Sequence, residues 1–159
     1  MKKGRFSVKV FVLSLVVIYL TVILGNLFVM DSIQSGWYHS IRPSITPPDY
    51  VFQIVWTIVY FLIAASFTLV YAKSDKIQRN RIAMVYLLNL VLNMIWTLIF
   101  FGQKLISIAL FDMVLIWIST LYLVITLWKE HRSSSWLLIP YLLWITFALI
   151  INYMCLGKM

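Results

Sequence analysis

Long stretches of this chain carry no charge, and their lengths leave it few folds. Between Lys9 and Asp31 lie 21 uncharged residues, between Asp49 and Lys73 lie 23, and between Arg81 and Lys104 lie 22. Residues 105–128 hold one charge, Asp112, and residues 133–157 hold none. An α-helix needs roughly 20 apolar residues to cross about 30 Å of hydrocarbon, and every run reaches that length. Of the 159 residues 63% are hydrophobic and 11% charged, with a mean hydropathy of +0.95, more apolar surface than a soluble domain of this size can hide. The runs do not alternate polar and apolar residues, which argues against a β-barrel. The expected fold is therefore all-α and integral to the membrane: one domain, residues 1–159, a compact bundle of five transmembrane helices. Their expected bounds are about 7–29, 48–72, 82–101, 105–128 and 136–156.

The basic start "MKKGRFSVKV" has the look of a signal peptide, but the run behind it is too long for an h-region and no A-x-A-like site closes it. The first run is read as a helix of the mature protein. The net charge of +8 does not point to nucleic acid, because it is distributed by membrane face. Lys2, Lys3, Arg5, Lys9, Lys73, Lys76, Arg79, Arg81, Lys129 and Arg132 fall on one face, and only Arg42, Lys104 and Lys158 on the other. That bias predicts a cytoplasmic N-terminus and an outside C-terminus. Cys155 is the single cysteine, and His39 and His131 fall on opposite faces, so neither an intramolecular disulfide nor a metal or haem site is expected. There is no internal repeat, which weakens an inverted-repeat transporter.

The connection 31–47 is the longest and the only one rich in proline and aromatic residues. It is expected to fold over one mouth of the bundle. Pro47 and Pro48 suit a first helical turn, where a missing N–H costs nothing, and the serines of 133–135 suit the cap of helix five. Polar residues within lipid are expensive and usually face an interior or a cavity. Here they are Gln53, Asn89, Asn93, Asp112 and Asn152. Asp112 lies seven residues inside helix four, roughly 10 Å deep, where a charge needs a partner. A structural hydrogen bond to a neighbouring helix or to the first loop is expected of it.

Helical spacing groups these polar residues with rings. Phe52, Trp56 and Tyr60 form one stripe, Asn89, Asn93, Trp96 and Phe100 a second, and Pro140, Trp144, Ala148 and Asn152 a third. Converging faces of this kind would line an apolar pocket with a few hydrogen-bonding groups. Plain packing competes with that reading. Trp117, Trp128 and Trp136 read as interfacial anchors, and Asn89 as a hydrogen-bonding tie between helices. For Trp56, Asn93 and Trp144, spacing leaves pocket and packing open.

Four ordered blocks of residues resemble the tryptophan-rich sensory protein/translocator protein family, TspO/MBR, also called the peripheral benzodiazepine receptor family. The first block is Trp37-Tyr38, Arg42-Pro43, Pro47-Pro48, Phe52, Val55-Trp56 and Tyr60. The second is Leu90, Leu92-Asn93, Trp96 and Phe100-Phe101-Gly102, and the third Ala109-Leu110 and Asp112. The last is Leu137-Leu138, Pro140-Tyr141, Trp144, Phe147-Ala148 and Asn152. Arg42 replaces the family's usual Lys, and Ile45 stands where an aromatic is usual.

The resemblance implies a five-helix bundle, commonly a homodimer, whose pocket binds porphyrins such as protoporphyrin IX and isoquinoline-carboxamide or benzodiazepine-type ligands. It carries over Tyr38, Phe52, Trp56 and Asn93 as pocket lining, with Phe100, Trp144 and Ala148. Trp56 N–H and the Asn93 amide would then donate to a ligand carbonyl while the rings stack on its flat body. Trp37, Pro43, Pro47 and Pro48 belong to the lid, and Asp112 and Asn152 are structural polar residues. No covalently bound cofactor and no metal are expected; porphyrin enters as ligand, beside membrane lipid. The family's sterol pattern matches twice, at Leu149, Tyr153 and Lys158 and at Leu69, Tyr71 and Lys73, which shows how little that pattern discriminates. A receptor or sensor that regulates tetrapyrrole handling is the leading function. Light-dependent porphyrin degradation through Trp56 and Trp144 is the alternative, and lipophile transport the third. Ala64-Ala65-Ser66 is the small-residue candidate for a dimer contact.

Overall fold

The computed structural model describes residues 6–27 and 29–158. Its elements are helices α1 (Val8–Asn26), α2 (Val29–Gln34), α3 (Trp37–Ile41), α4 (Asp49–Lys73) and α5 (Lys76–Thr97). A π-turn (Leu98–Gly102) continues α5, and α6 (Ile106–Glu130) and α7 (Arg132–Leu156) follow. Five of these are long and apolar enough to span a membrane: α1, α4, α5 with its π-turn, α6 and α7.

Several bounds differ from those expected, each for a local reason. α5 begins six residues before 82, because Asp75 Oδ1 accepts the Gln78 N–H at 2.9 Å and caps a basic, water-exposed first turn. α7 begins at Arg132, so the serines lie inside the helix and do not cap it. Ser135 Oγ instead donates to the Val124 carbonyl at 2.7 Å, and the Ser134 carbonyl accepts from Ser66 Oγ at 2.7 Å. Pro48 stands at the N-cap of α4, one residue before the first turn expected for it. The connection 31–47 is partly helical. Gly36 enters α3 at φ 71°, the left-handed region that a residue without Cβ occupies at little cost.

The bundle closes as a ring in which α1 packs on α4 and α5, α5 on α6, α6 on α7, and α7 on α4. α6 and α7 form the most extensive pairing, whereas α4 and α5 meet only slightly. Ile18, Val59, Ile63, Leu123, Leu138 and Ile145 form part of the buried core. Polar ties join the same helices. Asn89 Nδ2 donates to Ser119 Oγ at 2.7 Å and Thr120 Oγ1 at 2.9 Å, and Tyr141 Oη donates to Asn89 Oδ1 at 2.7 Å. Ala64 and Ser66 are fully buried and pack within the chain, while Ala65 between them is half-buried.

α1 spans the gap between α4 and α5, and Gly25 is its close approach to α5. A Cβ built there lies 3.5 Å from Thr97, ordinary van der Waals contact. Gly25→Ala is expected to leave stability nearly unchanged. Gly25→Leu should cost about 1–3 kcal/mol by wedging α1 from α5, read as a lower unfolding midpoint in detergent.

Candidate functional site

Because α4 and α5 stand apart beneath α1, a cavity of about 480 Å³ lies between them. All seven helices and the π-turn contribute to its wall. α4 supplies Phe52, Trp56 and Tyr60, spaced by four and hence on one face. Trp56 and Tyr60 stack at 5.3 Å between ring centroids and 28° between planes. α5 supplies Asn93 and Trp96, and the π-turn Phe100. The π-turn is closed by the Gln103 N–H on the Leu98 carbonyl at 2.9 Å, a five-residue step. Within this turn Phe100 stacks on Trp96 at 5.1 Å and 23°. α7 supplies Ala148 and Asn152.

The segment before α4 reaches the same wall. Tyr38 of α3 lines the cavity and is buried against Phe100 and Phe101, at 6.3 and 5.4 Å between centroids. Burial pushes its phenol up to about 12, with Cys155 and Asp49 adding to the rise, so it stands as a neutral hydroxyl at physiological pH. Trp37 packs edge-on to Phe100 at 5.7 Å and lies 5.5 Å beneath the Lys104 ammonium. Pro43 is buried, while Pro48 is exposed and Pro47 half-buried. Arg42 pairs with Asp49 at 3.3 Å, and Lys158 Nζ donates to the Arg42 carbonyl at 3.0 Å, which ties α3 to the start of α4 and the end of α7. Ile45 is 47% exposed and takes no part in the cavity wall.

Tyr38, Phe52, Trp56, Asn93, Phe100 and Ala148 thus surround one space. Trp144 does not line it. Its ring sits 5.2 Å from Phe52 and 6.5 Å from Trp56, edge-on to both, and its buried Nε1 has no hydrogen-bond partner among the described residues. Trp144 therefore backs the two rings that form the wall.

The polar groups divide the same way. Asn93 Nδ2 is committed to the Asn89 carbonyl and to Tyr141 Oη, both at 2.8 Å, so what Asn93 offers the cavity is its Oδ1, an acceptor and not the expected donor. Trp56 Nε1–H is a free donor of the wall, with no partner among the described residues, as are the hydroxyls of Tyr19, Tyr38 and Tyr60. Trp96 Nε1 donates to Asn152 Oδ1 at 2.9 Å, and Asn152 Nδ2 to the Ile106 carbonyl at 3.3 Å, so Asn152 joins α7 to α5 and α6. Asp112 is 5% exposed, and its Oδ2 lacks the hydrogen bond expected of it. The one ion pair among the described residues, Arg42 with Asp49, does not include it.

The first helix also contributes what its featureless sequence did not announce. Tyr19, Val22 and Gly25 line the cavity, with Tyr19 edge-on to Tyr60 at 6.3 Å. Tyr19 is the one phenol in that apolar run and Gly25 its one glycine, and those were the available signals.

Five apolar helices closed around a ring-lined cavity define an integral, multi-pass membrane protein. The TspO/MBR family matches residues 11–156, and the chain belongs to that family. It is 32% identical over 145 residues to the tryptophan-rich protein TspO of Bacillus cereus, covering 88% of this chain and 92% of that one. It is 31% identical over 122 residues to a tryptophan-rich sensory protein of Cereibacter sphaeroides, 74% and 73% of the two chains. It is 28% identical over 120 residues to the human translocator protein, 74% and 71%.

Proposed function

We propose that this chain is a membrane receptor that binds porphyrins and similar flat hydrophobic ligands in the cavity beneath α1, and so regulates tetrapyrrole handling. The observation that carries the reading is the composition of the wall. Rings from α3, α4, α5 and the π-turn enclose about 480 Å³, within the roughly 300–1,000 Å³ of small-molecule sites. Trp56 Nε1–H offers a donor and Asn93 Oδ1 an acceptor there, enough to orient a ligand whose body the rings stack on. The name of the Cereibacter sphaeroides relative, a sensory protein, agrees with a receptor. The segment 31–47, pinned through Tyr38, Arg42 and Lys158, acts as the cover of this cavity. The charge bias supports a cytoplasmic N-terminus; a bacterial cytoplasmic membrane and a homodimer complete the reading.

Titration of the purified chain with protoporphyrin IX in the dark, followed by tryptophan fluorescence and the Soret band, tests this. Saturable binding at one site per chain is expected, and absence of binding overturns the proposal. Illumination separates receptor from enzyme. A Soret band that survives light supports the receptor. Light-dependent loss that disappears in Trp56→Phe/Trp144→Phe replaces it with photochemical degradation.

A further inference from the structure

A second cleft, about 330 Å³, opens at the opposite end of the bundle from α3, between the first turns of α5 and the last turns of α6. Asp75, Gln78, Arg81 and Glu130 give it a polar side, and Ile82 and Val85 an apolar one. Arg81 is oriented by Tyr122, to whose hydroxyl its Nη2 donates at 3.1 Å. It forms no ion pair with either carboxylate of the cleft. Other cations of this end are turned onto rings: Arg79 lies 4.3 Å from the Tyr71 centroid and Arg132 4.8 Å from that of Trp128. Within the cleft one guanidinium therefore stands beside two carboxylates. No group of His, Cys, Asp and Glu among the described residues is arranged to cage a metal ion.

The cleft lies where the apolar spans of α5 and α6 end, at the level of lipid headgroups. Along the spans beyond it, Met84 and Leu88 of α5 and Ile118 and Ile125 of α6 are exposed. We infer that the cleft binds the phosphoethanolamine headgroup of a phospholipid. The primary ammonium donates to Asp75 and Glu130, Arg81 and Gln78 donate to the phosphate, and the acyl chains lie on the exposed apolar strip. A choline ammonium has no N–H for the carboxylates. A glycerol headgroup leaves both carboxylates unpaired beside a phosphate. Soluble phosphoethanolamine shares the polar chemistry, but only a lipid also covers the strip.

The test uses the full chain in nanodiscs of equal phosphatidylethanolamine, phosphatidylcholine and phosphatidylglycerol with matched acyl chains. Lipid retained after mild extraction is counted by native mass spectrometry. Retention of phosphatidylethanolamine is expected to exceed the other two by about fivefold. Asp75→Asn/Glu130→Gln should abolish the preference while keeping the α5 cap, since Asn caps as well as Asp. Arg81→Gln should lose the retained lipid and Arg81→Lys recover part of it, with unfolding midpoints verifying that each variant folds. Equal retention of the three lipids, preference for phosphatidylglycerol, or a preference unchanged in the variants overturns the proposal. Displacement of the lipid by millimolar soluble phosphoethanolamine also overturns it, because the headgroup alone would then be the ligand.

Discussion

Trp56→Ala is expected to weaken protoporphyrin IX binding by about ten- to a hundredfold, ~1.4–2.8 kcal/mol, measured by fluorescence or Soret titration. Three losses combine. The indole takes its stacking surface with it, and aromatic pairs contribute roughly 0.5–1.5 kcal/mol beyond the area they bury. The free Nε1–H donor goes at the same time. The neighbouring rings also lose their seat, since Trp56 stacks on Tyr60 and meets Tyr141 and Trp144 edge-on at 6.3 and 6.5 Å. Trp56→Phe keeps a ring and should lose less, about three- to tenfold, which separates stacking from hydrogen bonding. Trp144→Phe should fall below both, because its ring backs the wall from outside. Trp117→Phe should leave affinity unchanged, since Trp117 lies outside the cavity wall and its Nε1 is spent on Thr146 Oγ1 at 2.9 Å. Equal losses for Trp56 and Trp117 would show that the effect comes from general loosening of the bundle and would remove the cavity as the site.

Spans and stripes were legible in the sequence because lipid enforces them. A helix in hydrocarbon satisfies its own backbone and must be apolar over a fixed length, so uncharged runs reveal number and order. Spacing by three and four likewise put Phe52, Trp56 and Tyr60 on one face and Asn93, Trp96 and Phe100 on another. What spacing cannot carry is which side of a face is occupied. Trp144 shares its stripe with Ala148 and Asn152, yet Ala148 meets the cavity and Trp144 lies behind Phe52. Ends were less legible for a different reason. Charges at Lys76, Arg79 and Arg81 look like a loop when hydropathy is the guide, but a capped helix continues readily into water. The helices of residues 29–34 and 37–41 are too short to show a period at all. Hydrogen-bond polarity at Asn93 depends on Tyr141, 48 positions away, and no local pattern encodes it.

The other large effect is expected at Asn89, which touches no ligand. Asn89→Ala should lower stability by about 2–3 kcal/mol, read as a drop in unfolding midpoint in detergent. Its side chain is 3% exposed and holds three helices together. Nδ2 bonds Ser119 and Thr120 of α6, and Oδ1 accepts from Tyr141 of α7. Single hydrogen bonds between membrane helices contribute only about 0.6 kcal/mol on average, because partners elsewhere are easily found. Truncation here leaves the buried Tyr141 O–H without its acceptor, while Asn93 Nδ2 still donates to that oxygen, and the unpaired O–H supplies most of the cost. It follows that Tyr141→Phe, which removes the stranded hydroxyl, should partly rescue Asn89→Ala, so the double variant falls short of the sum of the singles. Additive losses would mean that the hydroxyl finds another partner when Asn89 is gone. Porphyrin affinity offers the second readout. Tyr141 holds Asn93 Nδ2, so once that bond is lost the amide can turn and present a donor to the cavity in place of its acceptor. A ligand bearing a carbonyl would then gain in the Tyr141→Phe variant relative to one bearing only N–H donors, and a shift of that sign ties the buried network to the chemistry of the cavity wall.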